Sequence, residues 1–539
     1  MTSTLTHSSL GEIRGKFGDG VIQFWGIKYA SIKDLFAPSE LLKGSSDNVV
    51  DATKYGPMVP SPMEKAWEDE FTFIQKSLPM PKMSMSELEG LHLNVTMPLI
   101  DGKVPSPETK LPVFVFVHGG GFGLGSNAWP HYDQARFVKL SAEMQKPVIG
   151  VGINYRVGIP GFMTSAELRD AGYLGNNGIR DQANAFTWVQ EYISGFRGDP
   201  QNVTFIGESA GSASGFLLLH QTKPLFNRFI SMSGNTLMMR PLPPPLSEFV
   251  YSSTMQALGL GALSGSERVK SLWQIPVEKI VEAGSSGLPL LPVVDNDSVP
   301  CAPTFAQVGS KAEDPALSMP GRSWCKELLV GDCQFDGSIL SFMLGPRKFG
   351  LARTFCDSIE KTFAAQPGAA EKLRHTYKIT PDLSDSVALR NVLQFATDIG
   401  FFATGVTWAR GWPGKAWMYH FNELNPWDGE WKGESGHVLD VAYLFQNFDE
   451  HLAQAEQAVA KQFAGDFINF MNGETRWPLF ESGNEGAMTY GPSSDGKCSE
   501  YVEGITSEKS GRKNTIFELA DSVGIEELSA AWGNFLSGN

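Results

Sequence analysis

The sequence predicts an α/β fold built on a large, mostly parallel central sheet flanked by helices, and three observations carry that prediction. Pro112 to His118 is an apolar run suited to a strand buried on both faces. Pro147 to Tyr155 and Val203 to Glu208 are further apolar strands, and between them Ala185, Phe186, Val189 and Ile193 recur at helical spacing. Strand, helix, strand in this order implies parallel pairing with a right-handed crossover, which gathers active groups at the carboxyl ends of the strands.

The elements follow in order. Residues 11–30 read as two extended runs joined by a Gly-Asp-Gly turn, a β-hairpin. Leu91 to Met97 alternates apolar and polar as a half-buried strand does. The strand at 112–118 ends in Gly119-Gly120-Gly121-Phe122, where bare backbone N–H groups can turn toward one point. Phe196 to Pro200 reads as a turn that delivers the chain to the strand at 203. That strand stops in Gly207-Glu208-Ser209-Ala210-Gly211, and Ser212 to His220 opens as a helix. Arg240 to Pro245 is a rigid break. Strands follow at 327–331 and 415–421, an amphipathic segment at 450–472 with Gly473 as C-cap, and a last helix from Thr515 to Leu536. With 539 residues the chain could hold several domains, yet no linker cuts it. The expectation is one domain over 1–539, with helical insertions at roughly 240–325 and 340–412.

Composition narrows the function classes. Apolar residues make up 42% and charged residues 19%, with 35 Phe and 13 Trp, enough for a large core. A net charge of −15 argues against nucleic acid or an anionic membrane as the main partner, since either needs a basic face. No stretch approaches a membrane span, and the N-terminus lacks the basic start and apolar run of a secretory signal. Five cysteines, all from Cys301 onward and without Cys-x-x-Cys spacing, point to a reducing, cytoplasmic setting and to no metal site.

Gly-Glu-Ser-Ala-Gly between a strand and a helix fits a sharp turn that lifts a hydroxyl clear of the sheet, which makes Ser209 the candidate nucleophile. A serine hydroxyl attacks at neutral pH only when a base takes its proton, and an imidazole base needs a third group to fix its tautomer. Downstream histidines include His220, His375, His420 and His437, and the downstream carboxylates include Asp332 and Asp336.

Taken together, the motifs resemble the type-B carboxylesterases, the cholinesterase and lipase branch of the α/β-hydrolase fold. The matching stretches are Gly11-x-x-Arg14-Gly15, Phe24-x-Gly26-Ile27-x-Tyr29-Ala30, Leu91-x-Leu93-Asn94-Val95, His118 to Phe122, Asn154-Tyr155-Arg156, Gly207 to Gly211, Ser233-Gly234 and Trp477-Pro478. The resemblance implies a serine esterase acting on medium-sized hydrophobic esters without metal or cofactor. It implies His437 as base, in a Gly-His-x-x-Asp loop before Tyr443-x-Phe445, and Asp336 as the acid where the family usually carries glutamate, with Asp332 as the alternative. Backbone amides of Gly120, Gly121 and Ala210 would form the oxyanion hole, and Phe122, Leu124, Phe335 and Met238 are candidate pocket walls. Glu208 reads as a buried, paired structural residue. Gly90 stands where secreted members carry a cysteine, so that bridge cannot form, which favours an intracellular enzyme. Three glycosylation triplets begin at Asn94, Asn202 and Asn296, the first two on or beside expected core strands. Two rival readings remain at this stage: acyl transfer or lactone chemistry on a specialised metabolite, and a non-catalytic binding protein. Oligomeric state is not legible.

Overall fold

The computed structural model describes residues 2–44, 49–62, 73–285, 287–312, 314–505 and 507–538. Thirteen strands form one sheet. They are β1 (Thr2–His7), β2 (Gly11–Phe17), β3 (Val21–Lys28), β4 (Val49–Asp51), β5 (His92–Pro98), β6 (Leu111–Val117), β7 (Ile149–Ile153), β8 (Gly198–Glu208), β9 (Arg228–Met232), β10 (Glu327–Cys333), β11 (Lys415–Phe421), β12 (Ala487–Tyr490) and β13 (Ser499–Val502). Their order is β1-β2-β3-β5-β7-β6-β8-β9-β10-β11-β12-β13, with β4 on β2. From β7 to β12 the pairing is parallel throughout, and toward both edges it is antiparallel except that β4 runs parallel to β2. The expected hairpin is present, with Lys16 opposite Gln23.

Apolar runs in the central strands follow from this burial on both faces. In β6, Val113, Val115 and Val117 enter one core, while Phe114 and Phe116 enter the other. Helix α1 (Asn177–Tyr192) makes the crossover into β8, and α2 (Ala210–Leu218) leaves it. Further on lie α3 (Asp385–Thr397) and α4 (Ala403–Gly411), separated by a π turn at Asp398–Phe402. Then come α5 (Leu439–Leu444), α6 (Gln454–Met471), α7 (Thr515–Val523) and α8 (Ile525–Leu536).

Three expectations need correction. Strand β5, expected to be half-buried, is buried at every residue, its polar His92, Asn94 and Thr96 included. Strand β8 already begins at Gly198, inside the segment read as a turn, and a register shift against β6 between Gly198 and Val203 absorbs Pro200. The last helix is two, because Gly524 at φ +101° leaves helical geometry between α7 and α8. All five cysteines are free thiols. Among the described residues no helix is long and apolar enough to cross a membrane.

Candidate active site

Strand β8 ends at Glu208 and α2 starts at Ala210, so Ser209 alone makes the corner, at φ +53° and ψ −123°. Such a backbone is strained for any residue with a Cβ and persists only where packing dictates it. Here packing does. A Cβ on Gly207 would stand 2.4 Å from the Gly211 carbonyl oxygen, and one on Gly211 would stand 2.0 Å from that of Val117. One on Gly234 would stand 2.0 Å from the carbonyl oxygen of Ser209 itself. Close backbone approach on three sides therefore fixes the corner, and the Ser209 N–H donates to Met232 O at 2.9 Å.

The glycine run after β6 packs directly against this corner, since a Cβ on Gly119 would lie 3.0 Å from Ser209 Cβ. Gly120 and Gly121 both have positive φ, and no atom lies within 4 Å of where a Cβ on Gly121 would project. His118 braces the run from below. Its Nδ1 sits 2.9 Å from Gly119 O, its carbonyl accepts the Tyr155 hydroxyl at 2.9 Å, and the two rings stack at 4.5 Å. Burial holds the His118 imidazole down to about 4, so it adds no charge beside the glycines at neutral pH.

His437 arrives from the loop before α5, with Val438 in the left-handed region. Its Nδ1 lies 2.8 Å from Asp336 Oδ1, and its backbone N–H donates to Ser338 Oγ at 3.2 Å. Asp336 Oδ2 in turn accepts the Ser233 hydroxyl at 2.9 Å and the Cys333 N–H at 2.7 Å. The structure thus brings Asp336 to His437, whereas Asp332 meets His420 and Arg512 instead, at 2.7 and 2.6 Å. Burial pushes the Asp336 carboxyl above its usual range, against the pull of the His437 hydrogen bond. Asp440, one helical turn past His437, is pushed up to about 7 by burial and by the neighbouring Asp336 charge, and Tyr419 donates to it at 2.9 Å.

One contact was not legible in the sequence. Glu208, read there as a buried, paired structural residue, is buried and paired, but its partner is the imidazole itself, with Oε1 at 3.1 Å from His437 Nε2. Carboxylates therefore face both ring nitrogens of one imidazole. Phe73 and Phe401 turn toward the same ring, with centroids at 6.2 and 5.4 Å. Phe401 belongs to the π turn, an irregularity that periodicity does not reveal. Ser209 retains 9% exposure while Glu208, Asp336 and His437 have at most 1%, so the serine is the member of the group nearest to solvent.

The other expected residues scatter. Phe122 packs on Phe162 at 4.9 Å, Leu124 borders the Gly120 turn, and Met238 approaches Gly400 in the π turn. Phe335 lies against Trp431 and under the Arg390 guanidinium. His220 Nδ1–H donates to the Ser318 carbonyl oxygen at 2.7 Å, just past the end of α2 opposite to the corner. His451, a fifth histidine downstream of the corner, accepts the Trp427 indole N–H through its carbonyl at 3.3 Å.

Comparison with known proteins identifies the family. The profile described as the Carboxylesterase family matches residues 2–509. The chain belongs to the carboxylesterase family. It is a carboxylic-ester hydrolase of the α/β-hydrolase fold. A para-nitrobenzyl esterase of Bacillus subtilis is 28% identical over 476 residues, covering 85% of this chain and 86% of that one. A juvenile hormone esterase of Heliothis virescens is 27% identical, covering 96% and 94%. A solved structure of a PNB esterase superposes with a TM-score of 0.71 at 25% identity, over 95% of this chain and 99% of the other.

Proposed function

We propose that the enzyme is a serine esterase of apolar, medium-sized esters, working as one catalytic unit through an acyl-enzyme. The observation that carries this reading is the 2.8 Å contact of Asp336 with a His437 whose Nε2 lies 3.1 Å from Glu208, the residue that precedes a serine held at a strained corner. Ser209 Oγ bonds to the ester carbonyl carbon as His437 Nε2 takes its proton. Asp336 and Glu208 stabilise the imidazolium that forms. The carbonyl oxygen becomes an oxyanion facing the amides of Gly120, Gly121 and Ala210, each such donor contributing about 3 kcal/mol to barrier lowering. Collapse breaks the bond to the alkoxy group, which leaves with the proton from His437. Water then repeats the sequence on the acyl-enzyme, giving the carboxylic acid and restoring the serine.

The aromatic rings of Phe401 and Phe73 beside the imidazole support an apolar ester as substrate. The test is hydrolysis of short-chain p-nitrophenyl esters by the wild type and by Ser209→Ala, with a fluorophosphonate as covalent probe. Turnover should fall at least about a thousandfold in the variant, and labelling should vanish. Retained labelling or turnover in Ser209→Ala overturns the reading.

A further inference from the structure

Two consecutive phenylalanines in the π turn contact two different imidazoles. Phe401 lies 5.4 Å from the His437 ring, and Phe402 lies 5.8 Å from that of His420. His420 is the centre of a second buried acid–imidazole pair. Its Nδ1 is 2.7 Å from Asp332 Oδ1, and Arg512 Nη2 approaches the same oxygen at 2.6 Å. Arg512 Nη1 also donates to Asn422 Oδ1 at 2.9 Å. Asp332 and His420 are register partners on β10 and β11, and the same end of β10 leads into Asp336. Both histidine–aspartate pairs therefore grow out of one strand end.

The π turn joins the pairs a second time. Thr397, the residue before it, accepts the Gly337 N–H through Oγ at 2.9 Å and so braces the turn that carries Asp336. Asp398 opens the π turn with its carboxylate tied to the Tyr377 hydroxyl and the Gln394 amide, each at 2.9 Å. Phe402 is wedged between His420 and Phe517 of α7, 5.6 Å away. Arg512 and Phe517 both lie beyond residue 509, where the family match ends. A buried cluster of charges is weak evidence for stabilisation, because desolvation offsets the attraction. Its geometry has a different consequence, since it fixes the π turn and the end of β10 against each other.

We propose that Arg512, acting through Asp332, His420 and the π turn, is a positioning residue for the catalytic imidazole. The inference rests on His437 being the base, as set out above. The groups facing that imidazole are Asp336, Glu208 and Asp440, with the rings of Phe73 and Phe401. Those facing His420 are Asp332, Arg512 and Phe402, with Asp398 and Tyr377 next to them. Without the guanidinium, Asp332 is a buried charge short of a partner. The strand end and the π turn relax, and the imidazole loses its fixed wall while its hydrogen bond to Asp336 loosens.

The test uses the full chain. Arg512→Met should lower kcat per titrated serine about tenfold with KM held within about threefold, since sub-ångström misplacement acts on the chemical step. Arg512→Lys should restore most of the rate. Phe402→Leu leaves the charges intact and should show the same split, and it decides the matter if Arg512→Met does not fold. A far-downfield proton resonance from the Asp336–His437 hydrogen bond should shift or broaden in both damaged variants and stay in place in Arg512→Lys. Unchanged kcat and an unmoved resonance in folded Arg512→Met or Phe402→Leu overturn the inference. A wild type that neither turns over esters nor reacts with fluorophosphonate overturns the esterase reading instead, while the resonance still decides this one.

Discussion

Glu208 and Asp336 meet opposite edges of the His437 imidazole, at 3.1 and 2.8 Å, and they are not equivalent. Asp336 is held by two further donors, from Ser233 and Cys333, so it can fix the tautomer and orientation of the ring. Replacing it by asparagine keeps the volume but offers an N–H where an acceptor is required. Asp336→Asn should therefore cost kcat on the order of 10³–10⁴ with little change in KM. Asp332→Asn, acting only through its neighbours, should cost no more than about tenfold. A larger loss in Asp332→Asn, read by steady-state kinetics on the same ester, transfers the role of triad acid. Glu208 instead faces Nε2, the nitrogen that in the proposed mechanism takes the proton of the serine, so its charge would matter mainly while the ring is cationic. Glu208→Gln should reduce kcat by about tenfold, well short of Asp336→Asn, and a variant as active as wild type removes Glu208 from the mechanism.

At the scale of elements, the corner between β8 and α2 is legible because steric necessity wrote it into the sequence as glycines at 207 and 211. Gly211→Ala forces a Cβ to within 2.0 Å of a backbone oxygen that cannot retreat from the sheet. It should yield little soluble enzyme, a loss visible on a gel before any assay, whereas Gly121→Ala has open space for its methyl, carries only the strain of its positive φ, about 1–2 kcal/mol, and should remain folded. The central strands were equally readable, since burial on both faces turns them into unbroken apolar runs. What escaped has equally physical reasons. The π turn at Asp398–Phe402 inserts a residue that spacing cannot register inside a buried helical stretch. Glu208 looked structural because adjacency in sequence does not tell which way a carboxylate leaves a strained corner. Asp332 and Asp336 could not be separated by distance along the chain. Strand register decides them, since Asp332 lies opposite His420 and is spent there.

For the molecule as a whole, buried titratable groups pull stability in opposite directions as pH changes. Burial lowers His92 and His118 to about 4 and His131 to about 3, so each is neutral when folded and takes up a proton more readily when unfolded. Their contribution is present above the unfolded value near 6.5 and is lost as pH falls toward 4. Asp398 and Asp449 at about 6, and Asp440 at about 7, are raised by burial and act with the other sign. Their contribution is present below the unfolded value near 4 and is lost as pH rises through 6 to 7. Asp440 is the clearest test. Its Oδ2 accepts the Tyr419 hydroxyl, a bond that an asparagine oxygen can keep, so Asp440→Asn reproduces the neutral acid without the option of ionising. Thermal unfolding at a fixed scan rate should then show the variant's advantage in Tm over wild type growing by a few degrees between pH 5 and pH 8. A difference in Tm that is the same at both pH values means that Asp440 does not change charge in this range. In that case Asp440 keeps one protonation state across this range, and any decline of stability toward alkaline pH comes from other groups such as Asp398 and Asp449.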